Sequence, residues 1–171
     1  TLPDQSKIGY GYSSSQLKSI SRISSTGKKL YCHEILERDQ SSNIILQKLA
    51  SGCGELTSHY DVLGRVTKRS HAHFKESVPK SGFDSIGNLL AISVSDPVGK
   101  KDHSFAYDYL SQLTKEDGVQ SHNFSYDSLN NRRSQDEIKY KINNLNMVLK
   151  ADSIKYIYDQ NGRRTKKIEG L

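Results

Sequence analysis

One short phrase recurs along this chain and limits what it can fold into. It reads as an aromatic residue, an acid or its amide, two variable residues, a glycine or small polar substitute, a polar residue, and an aliphatic one. The clearest copies are Tyr60-Asp61-Val62-Leu63-Gly64-Arg65-Val66, Phe83-Asp84-Ser85-Ile86-Gly87-Asn88-Leu89 and Tyr156-Ile157-Tyr158-Asp159-Gln160-Asn161-Gly162-Arg163. Less complete copies begin at Phe105-Ala106-Tyr107-Asp108, Phe124-Ser125-Tyr126-Asp127 and Tyr140-Lys141-Ile142-Asn143. Arg38-Asp39-Gln40-Ser41-Ser42-Asn43-Ile44 keeps the acid but has lost its aromatic. Ser15-Gln16-Leu17, downstream of Tyr10 and Tyr12, repeats the Ser-Gln-Leu of 111–113 and marks an earlier copy with its turn near residue 13.

The acid or amide falls at 39, 61, 84, 108, 127, 143 and 159, in steps of 22, 23, 24, 19, 16 and 16. Such a step holds two short strands and two tight turns. It leaves no room for a strand with a crossover helix, which needs about 30 residues. Each unit is therefore expected to be a β-hairpin. Asp39, Asp61, Asp84, Asp108, Asp127, Asn143 and Asp159 suit the first position of a type I turn, where the side chain accepts backbone N–H bonds. Gly64, Gly87 and Gly162 suit the fourth, where φ is often positive. Asn130 and Asn146 tolerate that position; Ser42 and Ser111 do so less well, and their turns are expected to be distorted.

The rings flank these turns. In Phe105-x-Tyr107, Phe124-x-Tyr126 and Tyr156-x-Tyr158 two rings stand two residues apart, which places both on one face of a strand. With Tyr60, Phe83 and Tyr140 they are expected to stack across neighbouring hairpins as an aromatic ladder. Ser, Asn, Asp and β-branched residues pervade the chain, and its best helical candidate, Tyr31 to Arg38, suits a strand as well. The expected fold is all-β, an array of antiparallel β-hairpin repeats forming one long curved sheet. About eight hairpins would fill residues 1–171 as a single array.

Composition fits a thin apolar layer better than a thick core. Hydrophobic residues make up 34% and mean hydropathy is -0.69, yet ten Tyr and four Phe supply apolar area that disordered chains lack. The net charge of +6 admits polyanionic partners. Its carriers come as scattered pairs such as Lys28-Lys29, Arg132-Arg133 and Arg163-Arg164, which favours a solvated face with lysines guarding strand edges. No apolar run reaches the roughly 20 residues of a membrane helix.

The phrases, Tyr156-x-Tyr158-Asp159-x-x-Gly162-Arg163 above all, resemble the YD repeats of the Rhs family, over about residues 10 to 168. That family includes bacterial polymorphic toxins, the C subunits of insecticidal toxin complexes, and teneurins. The resemblance implies hairpins paired edge to edge into a hollow shell. Its partners would be the remaining repeats and a C-terminal cargo domain of the same precursor, and its place would be secreted or at a bacterial cell surface. On this reading the chain is a wall segment whose flanking parts lie outside this sequence, or a degenerate short gene. The paired Asp-Pro-x-Gly motifs that close bacterial relatives are not seen; Asp96-Pro97-Val98-Gly99 is a single such string and suits an inter-hairpin turn.

Catalytic, cofactor and metal sites are all expected to be none. There is no Gly-x-Ser-x-Gly and no Gly-rich phosphate loop followed by Lys. The acids recur with the turns, so turn geometry accounts for them. His71-Ala72-His73 could offer two imidazoles with His59 as a third, but surface histidines explain them more simply. Cys32 reads as mid-strand and Cys53 as part of a turn, with nothing to oppose them. Glycans are a possible partner through Tyr10, Tyr12, Asn130, Asn131 and Arg132, which would make the chain an adhesion or heparin-like carbohydrate-binding module. Nucleic acid is not expected as a partner, since a compact basic face and a stacking platform are missing.

Overall fold

The computed structural model describes residues 1–170, and at Ser51 the backbone only. Among these residues it is all-β apart from one 3-10 turn, Ala50–Gly52. Sixteen antiparallel strands pair in strict chain order, each with the strand before and after it. This is the all-β hairpin array expected from the spacing of the phrases.

The chain divides into two compact units. The first comprises Thr1–Lys80 with Ile92–Lys101, and the second Ser81–Ala91 with the chain from Asp102 onward. The first unit holds β1 (Lys7–Ser13), β2 (Gln16–Ile23), β3 (Lys29–Arg38), β4 (Ile44–Lys48), β5 (Glu55–Tyr60), β6 (Val66–His71) and β7 (Phe74–Ser77). It also holds most of β8 (Ala91–Asp96) and the start of β9 (Gly99–Tyr107). The second unit continues β9 and adds β10 (Leu113–Asp117), β11 (His122–Tyr126), β12 (Arg132–Gln135), β13 (Ile138–Ile142), β14 (Val148–Ala151), β15 (Ile154–Tyr158) and β16 (Arg164–Ile168). Tyr31 to Arg38 lies within β3, so strand wins over helix there.

Little of either unit is buried. Among the described residues the only buried hydrophobics are Ile35 in the first unit and Ala151 in the second, at 6% and 7% exposure. Most apolar side chains are half-buried, as a single sheet layer dictates: each face has side-chain neighbours in plane but no second layer over it. From Lys100 onward in β9, and throughout β11 and β15, half-buried and exposed positions alternate. Phe105 and Tyr107, Phe124 and Tyr126, and Tyr156 and Tyr158 are half-buried, while Ala106, Ser125 and Ile157 between them are exposed.

Candidate functional site: the repeated turns and the aromatic face

Seven five-residue turns share one geometry. The N–H of the first residue donates to the carbonyl of the fifth, and the N–H of the fourth donates back to the carbonyl of the first. In the Asp61 turn both bonds are 3.0 Å (Asp61 N–H to Arg65 O and Gly64 N–H to Asp61 O). The same pair of bonds recurs at Asp39, Asp84, Asp108, Asp127, Asn143 and Asp159. In every copy one side-chain oxygen, Oδ1, accepts the N–H of the third and fifth residues at 2.8–3.0 Å. The amide of Asn143 does this as well as any carboxylate. A type I turn closed by a left-handed residue adds one residue to one strand of the hairpin. The register accordingly slips beside six of the seven turns, for example between His59 and Tyr60 and between Ile157 and Tyr158, while the Asp84 turn is flanked by a single bridge. In three copies the extra residue is Thr67, Thr114 or Thr165, whose hydroxyl donates to the carbonyl of His59, Ala106 or Ile157 at 3.1–3.3 Å.

In four of the turns, those of Asp39, Asp61, Asp84 and Asp127, the second carboxylate oxygen is held by the fifth side chain. Asn43 donates to Asp39 at 3.0 Å, Arg65 Nε to Asp61 at 2.7 Å, and Asn88 to Asp84 at 2.8 Å. These bonds favour the charged form. The Asn43 amide holds Asp39 below the usual carboxylate range, and the backbone N–H of Arg65 does the same for Asp61. Partial burial alone would raise Asp84, but the Asn88 side chain and nearby backbone N–H groups outweigh it. The Asn131 backbone N–H lowers Asp127.

The fourth residue of each turn has positive φ: 66° at Ser42, 60° at Ser111, 64° at Asn130 and 58° at Asn146, against 76°, 99° and 75° at Gly64, Gly87 and Gly162. The expected distortion at Ser42 and Ser111 is corrected. Their hydrogen bonds match those of the glycine turns, because the Asp side chain and two backbone bonds over-determine the backbone.

Each non-glycine side chain at this position has a partner. In the second unit the fifth residue of one turn donates to the fourth residue of the next. Asn88 reaches Ser111 Oγ at 3.3 Å, Gln112 reaches Asn130 Oδ1 at 2.6 Å, and Asn131 reaches Asn146 Oδ1 at 3.0 Å. In the first unit Gln16 reaches Ser42 Oγ at 3.4 Å. Successive turns are thus tied side chain to side chain, and the strain of a non-glycine residue at positive φ goes with a rung between repeats. Sequence reading weighed these residues only as tolerable stand-ins for glycine and missed the rung.

It also missed an eighth turn of this kind. Ser24 N–H donates to Lys28 O, Gly27 N–H to Ser24 O, and Ser24 Oγ accepts the Lys28 N–H. Ser24 Oγ takes the fifth-residue N–H that Asp Oδ1 takes elsewhere and meets the Thr26 hydroxyl at 2.9 Å in place of the third-residue N–H; the only signal was Ser24 three residues before Gly27. The copy near residue 13 is of another type, a two-residue turn with Ser14 and Ser15 both at positive φ.

The aromatic ladder is corrected. Opposite Tyr60 stands Val66, opposite Tyr107 Leu113, opposite Phe105 Glu116, opposite Phe124 Gln135, opposite Tyr126 Arg132, opposite Tyr140 Ala151, opposite Tyr156 Lys167 and opposite Tyr158 Arg164. Phe83 bridges to Leu89. The reason is strand parity. These strand-borne rings occupy β5, β9, β11, β13 and β15, so rings of adjacent repeats are two strands apart, about 9.6 Å. The intervening strand supplies what meets them. Arg132 lies 4.6 Å over the Phe124 ring and Arg164 5.6 Å over Tyr156. Two phenols reach back to the neighbouring strand, Tyr60 to Ile44 O and Tyr158 to Val148 O, both at 2.9 Å. Burial and the nearby Asp84 carboxylate raise Tyr107.

The other candidates are dispersed or already engaged. Asp96 Oδ1 accepts the N–H of Val98 and Gly99 at 2.9 and 3.0 Å, and its other oxygen meets Lys101. His71 Nε2 sits on the Cys53 carbonyl, and the His71 and His73 rings meet edge-on at 6.1 Å. Among the described residues no three His, Cys, Asp or Glu are grouped to hold a metal ion, and no helix is long and apolar enough to cross a membrane. Cys32 and Cys53 are both free thiols. Tyr10 and Tyr12 are exposed on β1 in the first unit. Asn130, Asn131 and Arg132 belong to the second, in an open depression of about 440 Å³ with Tyr126 and Tyr140.

No family model matches the sequence, and no curated protein does. Solved structures do. A chain in the crystal structure of TcdB2-TccC3-Cdc42 matches 93% of this chain with TM-score 0.57 at 11% identity. A chain of the Photorhabdus luminescens Tc holotoxin pore matches 96% with TM-score 0.52 at 13% identity. This chain spans 12% of the length of each. The likeness is one of fold: the hairpin array is similar to a stretch of the chains in Tc toxin assemblies.

Proposed function

We propose that the chain is a non-catalytic wall segment of a YD-repeat shell that encloses or presents a toxin or effector domain of its own polypeptide. The carrying observation is the recurrence of one turn, with its side-chain acceptor, at seven successive sites. Every one of those acids or amides is spent on the backbone N–H groups of its own turn, a structural use that leaves its Oδ1 engaged. Rungs between turns serve to keep neighbouring hairpins in place, and the arginines over rings hold together the two strands of one hairpin. The fold likeness to chains of Tc toxin assemblies supports the same reading. A secreted protein is the setting it fits.

Limited proteolysis of the full-length precursor tests this. The repeat region and an enclosed domain should survive protease together, and mild acid or denaturant should expose both to cleavage. Digestion of a downstream domain while the repeats stay intact would refute enclosure.

A second reading, adhesion by glycan binding, draws on the depression lined by Tyr126, Asn130, Asn131 and Tyr140. Aromatic faces beside planar amides suit sugar rings. A glycan array with Tyr140→Ala as the comparison decides it; equal signals from both proteins would remove this reading.

A further inference from the structure

The geometry points to the lysine-bearing face of β13–β16 as a docking surface for an anionic lipid bilayer. Residues directly opposite one another in a sheet share a face. The register sets Lys141 opposite Lys150 and Lys150 opposite Lys155, three lysines side by side on adjacent strands. Lys139 lies two residues from Lys141, and Lys166 stands opposite Ile157, two residues from Lys155, so both join the same face. All five are exposed. Scattered in the sequence, they are gathered by the fold.

Like charges directly opposite each other destabilise a sheet, and here nothing offsets them. None of the five has an ion-pair or hydrogen-bond partner among the described residues, and the four strands contain no acid. Elsewhere the fold places an acid within reach: Lys101 meets Asp96 at 3.0 Å, Lys115 meets Asp117 at 2.7 Å and Lys167 meets Glu169 at 2.6 Å. Of the nearest acids in sequence, Glu137 and Asp152 sit at hairpin tips and Glu169 is taken by Lys167.

The chemistry of the face selects a lipid surface among polyanions. Tyr140, Tyr156 and Tyr158 lie on the opposite face, and Arg164 folds over Tyr156 there. The lysine face therefore has no ring on which a base could stack, as single-stranded nucleic acid requires. It has no arginine fork for bidentate phosphate contact either. What it offers beside ammonium groups is aliphatic. Ile157 and Ile168, 43% and 46% exposed, alternate with Lys155 and Lys166 in a two-by-two checkerboard. Aliphatic side chains that enter the acyl boundary while ammonium groups sit among anionic headgroups are the pattern of a peripheral membrane surface. This surface is independent of the shell reading.

The test is co-sedimentation of the 171-residue chain with vesicles of phosphatidylcholine, alone or with about 30% phosphatidylserine. Binding is expected only to the anionic vesicles, and should weaken as salt shortens the screening length. Each lysine near such a surface contributes about fivefold, so Lys141→Gln/Lys150→Gln/Lys155→Gln should lower partitioning about a hundredfold. Lys28→Gln/Lys29→Gln/Lys75→Gln, which removes the same charge elsewhere, should change it less than about twofold. If circular dichroism shows the first triple variant unfolded, the three single substitutions are read instead, each for its fivefold step. Ile157→Ser should weaken vesicle binding and leave heparin retention unchanged. Absence of binding to the anionic vesicles, equal loss in both triple variants, or retention on heparin or an oligonucleotide without vesicle binding would each overturn the proposal.

Discussion

Replacing Asn146 separates two effects that the turn rungs combine. Its φ is 58°, and its Oδ1 accepts the Asn131 amide at 3.0 Å. Asn146→Gly removes the rung but leaves a backbone at ease in the left-handed region. The bond is solvent-accessible, so the lower half of the usual range applies, about 0.5–1 kcal/mol. Asn146→Ala loses the same bond and keeps a Cβ at positive φ without the short polar side chain by which Asn tolerates that region, so it lies about 1 kcal/mol below the Gly variant once the gain from a stiffer unfolded chain is deducted. The expected order of stability is native, then Gly lower by about 0.5–1 kcal/mol, then Ala lower by about 1.5–2 kcal/mol. Urea unfolding followed by circular dichroism and tyrosine fluorescence reads this directly, since the chain has ten Tyr and no Trp. With a slope of about 2 kcal/mol/M the Ala midpoint should fall by roughly 0.8–1 M at unchanged slope. Asn131 also donates to the Asp127 carboxylate at 3.2 Å, so its own truncation confounds two bonds. A double-mutant cycle of Asn131→Ala with Asn146→Gly isolates the rung and should return about 0.5 kcal/mol of coupling. Equal cost for Gly and Ala would refute the strain argument, and zero coupling would refute the rung.

Further outcomes follow from the same geometry. Asp39, Asp61, Asp84 and Asp127 titrate below their ordinary range when folded, so their stabilising effect is full above the unfolded value of about 3.9 and is lost as pH falls through the folded values. Acid titration by circular dichroism should show unfolding below about pH 4, and Asp127→Asn, which imitates Asn143, should flatten that response. Tyr158→Phe removes the hydroxyl bond to Val148 O and should lower stability by about 0.5–1.5 kcal/mol, with no change expected for the exposed Tyr10→Phe; equal effects in urea would contradict it. A Cβ at Gly118 would meet the His103 ring, 2.8 Å from Cε1 and closer still to Nδ1. Gly118→Ala should therefore cost about 1–3 kcal/mol, and an unchanged melting temperature would show that the ring moves aside freely.

What was legible in the sequence was what is local. Asp61 and Gly64 announce a turn because the carboxylate and the positive φ are needed within four residues, and the spacing of such pairs gives the hairpins. Ser24 was not legible: serine supplies the same acceptor without the acid or ring that made other copies visible. The rungs depend on two turns that meet through the lengths of the strands between them; nothing local to Gln112 reveals Asn130 eighteen residues on. The ladder failed because two-residue spacing fixes a ring's face but not its neighbour, and an intervening strand always separates successive rings. Lys141, Lys150 and Lys155 carry no common period, because a bulge beside Ile142 shifts the alternation between the first two.

Where the fourth turn residue is glycine, the stitching stops. Gly64 offers no side chain to an adjoining loop, and at Gly162 only the Met147 thioether approaches. Between Asn88 and Asn146 a unit that was copied or deleted would have to bring a matching donor and acceptor, or leave a polar group stranded at each new joint. At the glycine turns no such match is demanded. Those loci are therefore the seams at which an array of this kind can lengthen or shorten during evolution, and where an engineered extra hairpin would be accepted with least disturbance.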